Sequence, residues 1–63
     1  MIEFEYLISE IKRITSMSEE SISLFVSSNN ISYSGLNKFY LRYGRLPNKN
    51  ECKATMLGLI DLN

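Results

Sequence analysis

The chain has 63 residues, with seven basic and seven acidic residues, no histidine and one cysteine. This length predicts a single small domain over residues 1–63, near the lower limit for independent folding, because so short a chain buries only about 60% of its unfolded surface. The lone cysteine excludes an internal disulfide, and the lack of histidine excludes a zinc site of the usual nitrogen and sulfur type. We therefore expect no metal and no cofactor.

The two halves of the chain carry opposite charge. Residues 1–30 hold five glutamates against two basic residues, a net charge of −3. Residues 31–63 hold five basic residues against Glu51 and Asp61, a net charge of +3. A molecule with one basic end suits an anionic partner better than its zero total charge suggests. The plainer interpretation, two ordinary solvated surfaces, stays open at this point.

The amino-terminal stretch MIEFEYLISEIKR places Glu3 and Glu5 ahead of its basic residues, the reverse of a secretory signal. No stretch approaches the roughly 20 consecutive apolar residues that a membrane span requires. We therefore expect a cytoplasmic protein with no membrane partner. The brevity of the chain and its usage of Ile, Asn, Ser and Lys suggest a phage or mobile element, in which case the location is the host cytoplasm.

Apolar residues recur at helical spacing in four segments. They predict an all-α fold, a compact four-helix domain with helices at approximately 2–15, 17–29, 33–43 and 48–61. In the first segment the apolar residues form one stripe, which predicts a single buried face. The stripe consists of Phe4, Leu7, Ile8, Ile11 and Ile14.

The second helix has two candidate starts. Ser16 with Glu19 has the form of a capping box, and Ser18 with Ser21 is the competing register. The inner face is formed by Met17, Ile22, Phe25 and Val26. Asn30 is a suitable stop, because asparagine tolerates left-handed backbone better than most residues.

The third helix has Ser32 as its candidate N-cap. The spacing predicts an inner side that consists of Leu36, Phe39, Tyr40 and Tyr43. Gly44 stands where a glycine permits the left-handed turn that closes a helix, and Pro47 prevents continuation.

The fourth helix is predicted to begin at Asn48, which has Glu51 as its capping partner. Its inner stripe consists of Cys52, Met56, Leu59 and Ile60. Gly58 lies inside the predicted helix, at a cost of roughly 1 kcal/mol relative to alanine. Leu57 and Leu62 lie beside the stripe, so the segment is either the central, most buried helix or a contact with another chain.

An enzyme is not expected, and no residue is assigned a catalytic role. Histidine, the commonest general acid or base near neutral pH, is absent. The three glycines are scattered, so there is no glycine-rich loop for a phosphate. Cys52 falls on the stripe predicted to be buried, where a structural thiol is far more common than a nucleophile.

The stretch ISLFVSSNNISYSGLNKFYLRY, residues 22–43, resembles the helix-turn-helix of many bacterial and phage DNA-binding proteins. The turn of that motif corresponds to Asn30-Ile31-Ser32, with Ile31 as the buried plug between the two helices. The buried helix positions of the motif correspond to Phe25, Val26, Leu36 and Phe39. The resemblance implies a helix-turn-helix-like middle in which the third helix enters the major groove.

This resemblance implies DNA, or single-stranded nucleic acid, as the partner of a small accessory protein. The side chains that would reach base edges are Tyr33, Ser34, Asn37 and Lys38. Phosphates would be held by Arg42, Arg45, Lys49 and Lys53. The backbone amides from Ser32 to Gly35 would also face an anion at the helix start. We therefore expect contacts from the third helix and the start of the fourth.

A protein-interaction module, which docks on and modulates a host or partner enzyme, is the alternative interpretation. Leu41 lies on or near the basic side of the third helix, where an apolar residue fits a protein contact at least as well as a phosphate contact. Together with Leu57 and Leu62 it would supply the apolar part of a docking surface. A homodimer also stays open, since it would bury Leu57 and Leu62 and double the basic face.

Overall fold

The computed structural model describes residues 2–62 of the chain, with side chains from residue 5 onward. It contains α1 (Ile2–Thr15), α2 (Glu19–Asn29), α3 (Tyr33–Tyr43) and α4 (Lys49–Met56). Residues 2–62 contain no strand, and the predicted all-α fold of four helices is confirmed. The prediction for Phe4 lies outside the residues whose side chains are described.

A small apolar core joins all four helices. Its buried members are Ile8, Ile11, Ile22, Ile31, Leu36 and Cys52. Met17, Phe25 and Val26 pack against this core while partly exposed, so the predicted inner face of α2 is confirmed. Burial of each large aliphatic side chain contributes about 1.5–3 kcal/mol, and such contacts hold a domain of this size together.

The helices α3 and α4 pack side by side and run in opposite directions. At one end, the amide of Ser32 donates a hydrogen bond to Met56 Sδ over 3.4 Å. At the other end, Arg45 pairs with Glu51 at the start of α4. Helix α1 packs on α3 and α2, and α4 packs on α3 and α2. One face of α3 is therefore covered, and the opposite face is left to solvent.

Three predicted helix boundaries are confirmed by local geometry. The Asn30 backbone is left-handed, with φ 53° and ψ 38°, and ends α2. Gly44 ends α3 in the same way, with φ 70°. Asn48 and Glu51 form a complete capping box at the start of α4, in which each side chain accepts from the other residue's backbone amide.

The start of α2 lies two residues later than the predicted 17–29 boundary. Ser18, rather than Ser16, is the N-cap, and its hydroxyl accepts from the amide of Ser21 over 3.1 Å. Ser16 has a φ of 61°, and its amide donates to the carbonyl of Lys12, so it closes α1. An N-cap needs extended backbone, and one residue cannot adopt both conformations.

The predicted extent of the fourth helix, 48–61, is wrong at its carboxyl end. The helix stops at Met56, and Gly58 has a φ of 73°, so this glycine lies in a turn instead of inside the helix. The chain then runs back along α3, where the hydroxyl of Tyr43 donates to the carbonyl of Asp61. The segment is not a central buried helix, because Leu57 and Leu59 are 62% and 74% exposed. The predicted inner stripe accordingly fails at Met56, which is also exposed.

Candidate nucleic-acid interface

The connection between α2 and α3 is a tight turn held from both sides. Asn30 supplies the left-handed residue, and its amide and that of Ile31 both donate to the carbonyl of Val26. Ile31 is only 3% exposed and belongs to the core. Ser32 then caps α3 by accepting from the amide of Gly35 over 2.9 Å. The start of α3 is therefore fixed by one left-handed residue, one buried plug and one cap.

Helix α3 is anchored by its inner side. Leu36 and Phe39, three residues apart, are 0% and 1% exposed. Gly35 is buried as well, and a Cβ built on it would lie 3.3 Å from Thr55 Cγ2, so α4 approaches this part of the helix closely. Tyr43 departs from the predicted inner side, because its ring is exposed at the helix end, where it packs on Phe39.

The outer face of α3 presents two cations and a leucine. Lys38, Leu41 and Arg42 are all exposed, and Ser34 is half-buried one turn earlier. Spacings of three and four residues bring these side chains onto one side of the helix, with neighbouring Cβ atoms about 6 Å apart. We define the outer face of α3 as Ser34, Lys38, Leu41 and Arg42.

Neither cation of this face forms an ion pair with an acid among the described side chains. The ion pairs among the side chains from residue 5 to 62 join Arg13 to Glu10 and Arg45 to Glu51. Neither pair includes Lys38 or Arg42. The guanidinium of Arg42 lies 5.8 Å from the ring centroid of Tyr43, a cation–π contact that leaves its hydrogen-bond donors available. Lys38 and Arg42 can therefore meet phosphate oxygens without first breaking an ion pair.

Asn37, predicted to reach a base edge, does not lie on the outer face of α3. Its side chain is buried, with 8% exposed, and its Oδ1 has no hydrogen-bond partner in the described part of the chain. The reason is its register. Asn37 follows Tyr33 by four residues and precedes Tyr40 by three, and both tyrosines are half-buried. The covered side of α3 is thus wider than the apolar stripe alone indicates.

Tyr33 and the helix-start amides are partly engaged in the fold. The hydroxyl of Tyr33 lies 3.2 Å from Ser23 Oγ on α2, and its ring packs against the core. The amide of Gly35 already donates to Ser32, and the amide of Ser32 donates to Met56. These two amides are therefore not directed at an external anion.

Arg45 is exposed, but its guanidinium is paired with Glu51 at the start of α4. Its two terminal nitrogens donate to the two carboxylate oxygens of Glu51 over 2.8 Å each. Its guanidinium also lies 5.4 Å from the ring centroid of Phe39. The hydrogen bonds from Arg45 and from the Asn48 amide lower the pKa of Glu51 to about 2. Arg45 joins α3 to α4, and its contact with a phosphate would compete with that role.

Lys49 and Lys53 line a different site, a groove of about 490 Å³ beside the end of α2, which we call the α4 groove. The groove is also lined by Asn29, Asn30, Asn50, Met56 and Leu57. The predicted cations are thus divided: Lys38 and Arg42 share the outer face of α3, Lys49 and Lys53 share the α4 groove, and Arg45 lies in an ion pair.

The three leucines assigned to protein docking are not equivalent. Leu41 and Leu57 are 59% and 62% exposed, and Leu62 is half-buried. Sequence reasoning did not single out Leu24 on α2, which is 67% exposed. Its position beside the stripe of Ile22, Phe25 and Val26 was the feature of the sequence that could have indicated an exposed leucine.

The described part of the chain offers few other kinds of site. The side chains described from residue 5 to 62 contain no cluster of three or more potential ligands that could hold a metal ion. None of the helices α1–α4 combines the length and apolarity needed to cross a membrane. Cys52 is fully buried, and this burial raises the pKa of its thiol. No protein-family model, curated protein or solved structure matches the chain.

Proposed function

We propose that the chain is a small DNA-binding accessory protein, of the kind that phages encode, and that it contacts duplex DNA through the outer face of α3. The observation that carries the proposal is the exposed pair Lys38 and Arg42. The two lie one turn apart on a helix that is anchored from behind. Neither is in an ion pair among the described side chains. The pair is thus available to an anionic partner.

The geometry of the α2–α3 unit supports this proposal over a generic basic surface. A recognition helix has to be held rigidly relative to the helix before it, so that its outer face can lie against a groove. Here the left-handed Asn30, the buried Ile31 and the buried pair Leu36 and Phe39 provide that rigidity. These are also the positions that carry the resemblance to a helix-turn-helix.

Phosphate contacts are expected to dominate the affinity. Each Lys or Arg that neutralises a phosphate releases counterions, so the affinity falls steeply with salt, with a log–log slope of about −0.9 per contact. Lys38 and Arg42 therefore predict a contribution of about −2 to this slope. Ser34 is the remaining polar side chain of the outer face, where its hydroxyl can contact a base edge or a phosphate. Because Asn37 is buried, few side chains of the outer face of α3 can contact base edges. We therefore expect only a modest preference for particular DNA sequences.

The experiment is a fluorescence anisotropy titration of a labelled duplex at low ionic strength. We compare the wild-type protein with the Lys38→Ala/Arg42→Ala double variant. The control, Lys12→Ala/Arg13→Ala, removes the same charge from exposed positions on α1. We expect the affinity of the Lys38→Ala/Arg42→Ala variant to fall about tenfold or more. The slope of its log affinity against log salt concentration should become about two units shallower. The control should remain near wild type in both quantities.

Two results would contradict the proposal. One is that the wild-type protein binds neither duplex nor single-stranded DNA at low salt. The other is that both double variants lose the same affinity, because the binding would then follow total charge and not the outer face of α3. Binding to the single strand alone would move the proposal from duplex to single-stranded nucleic acid.

Docking on a partner protein is the second candidate, and the exposure of Leu41 favours it. This leucine is exposed on the same face as Lys38 and Arg42, where DNA phosphates give it no apolar contact. The substitution Leu41→Ser separates the two candidates because it removes the apolar group without changing charge. A purified complex with a captured protein should weaken strongly in this variant, whereas binding to DNA should stay close to wild type.

A further inference from the structure

The α4 groove is a basic and apolar surface that the DNA proposal does not use. Lys49 and Lys53 supply its charge, and Met56 and Leu57 supply its apolar part. Both lysines and both apolar residues are exposed. Leu57 has right-handed backbone, with φ −88° and ψ −1°, so it continues the helical register of α4 by one residue. Lys53 and Leu57, four residues apart, are therefore neighbours on one face.

A second unpartnered surface lies on α2 and has the opposite charge. A shallow depression there is lined by Glu19, Glu20, Ser23, Leu24 and Ser27. We call this surface the α2 stripe. Its most exposed apolar residue is Leu24, with 67% of its surface exposed. Glu20 and Leu24 are four residues apart, so the stripe presents an acid followed by a leucine one turn later.

The two surfaces match in both charge and register. In the α4 groove a lysine precedes a leucine by four residues, and in the α2 stripe a glutamate precedes a leucine by four residues. If the two helices lie parallel, Lys53 faces Glu20 and Leu57 faces Leu24 at the same time. The opposite charges fix the pairing, and the burial of two leucines supplies the apolar contribution.

One copy of the chain cannot make this contact with itself. The α4 groove already includes Asn29 at the carboxyl end of α2, whereas Glu20 lies nine residues earlier on the same helix. At 1.5 Å per residue, that separation is about 14 Å along a rigid helix. The occupant that fits is therefore the α2 stripe of a different molecule.

We propose that the α4 groove binds the α2 stripe of a second copy of this chain. The two patches are different, so the contact is heterologous, and an open assembly keeps one unoccupied patch at each of its two ends. The association is weak and depends on salt, because exposed ion pairs contribute little and are screened. This self-association is independent of DNA and of the outer face of α3.

The test uses two variants that each remove one patch. Glu20→Lys reverses the charge of the α2 stripe and keeps the α4 groove, whereas Lys53→Glu does the opposite. We expect the weight-average mass of the wild-type protein to rise with concentration in sedimentation equilibrium at low salt, and each variant alone to stay monomeric. An equimolar mixture of the two should associate again, because the intact groove meets the intact stripe and the two reversed charges also attract each other.

The pair Leu24→Ser and Leu57→Ser repeats the design without changing charge, and circular dichroism confirms that each variant is folded. Both leucines are exposed, so neither substitution removes a core contact. The proposal is overturned if the wild-type protein remains monomeric at every concentration, or if a single variant assembles as the wild type does. It is also overturned if folded variants, mixed in either pair, stay monomeric.

Discussion

The guanidinium of Arg45 and the carboxylate of Glu51 form a paired hydrogen bond, with both N–O distances at 2.8 Å. The pair joins the end of α3 to the first turn of α4. One oxygen of Glu51 also accepts from the amide of Asn48 over 2.9 Å, so a single carboxylate completes both the ion pair and the helix cap. Position 51 therefore links two helices through side chains that are largely at the surface.

Replacing Glu51 with glutamine should reduce the stability of the protein at neutral pH. It should also weaken the loss of stability that the wild-type protein shows as the pH is lowered. The folded-state pKa of Glu51 is about 2, below the ordinary value of 4.5. For a lowered carboxyl pKa, the stabilisation is fully present above the ordinary value and is lost as pH falls toward the folded value. The difference between wild type and Glu51→Gln in urea unfolding midpoint should thus shrink between about pH 4.5 and pH 2.

Arg45→Gln provides the matched comparison, because the hydrogen bond from Arg45 is the largest cause of the low pKa of Glu51. It should remove most of the same pH dependence while leaving the amide of Asn48 bound. Glu19→Gln, in the exposed first turn of α2, controls for the loss of one negative charge. If the urea unfolding midpoint changes with pH in the same way in the wild type and in Glu51→Gln, the ion pair contributes nothing to stability.

Gly44→Ala should lower the free energy of unfolding by about 1 kcal/mol, because alanine is strained in left-handed backbone. Gly44 has a φ of 70°, and a Cβ added there meets no atom within 4 Å, so the cost is conformational and not steric. Chemical denaturation measures the change. Gly44→Asn should cost less, since asparagine tolerates this conformation better. Alanine and asparagine variants of equal stability would rule out this explanation.

Thr55→Val should raise the free energy of unfolding by about 1 kcal/mol. The hydroxyl of Thr55 is buried and has no hydrogen-bond partner in the described part of the chain. Valine keeps the shape of the side chain and removes the polar group. The control, Thr55→Ser, keeps the hydroxyl and removes the methyl group near Gly35, so it should destabilise. A loss of stability in Thr55→Val would mean that the hydroxyl is satisfied in solution.

Helix boundaries were predictable where neighbouring residues decide them. Ser32, Asn30 and Gly44 act through backbone geometry within a few positions, and the sequence pattern identifies each of them correctly. Ser16 and Ser18 were both chemically suitable caps. The choice between them depended on how α1 ends, since Ser16 is needed in left-handed geometry there.

The end of α4 was not predictable from its apolar pattern. The stretch from Met56 to Leu62 contains enough apolar residues to continue a helix, and Gly58 is tolerated inside one at a modest cost. In the structure Gly58 adopts positive φ and turns the chain back toward Tyr43. That choice depends on contacts with α3, which sequence spacing does not contain.

The candidate site was predictable only in part. Helical spacing correctly indicates that Lys38, Leu41 and Arg42 share an exposed face. The burial of Asn37 depends on how much of α3 its neighbours cover, and the pairing of Arg45 with Glu51 depends on the path of the chain through Pro47. Both are tertiary effects, so the sequence overestimated the number of cations on one surface.

An amide chemical-shift titration with a short duplex locates the residues that contact DNA, and we propose that they form the outer face of α3. We expect the largest shifts on Ser34, Lys38, Leu41 and Arg42, and we expect these shifts to shrink as salt is added. Shifts confined to α1 and the start of α2, or no shifts at low salt, would contradict it.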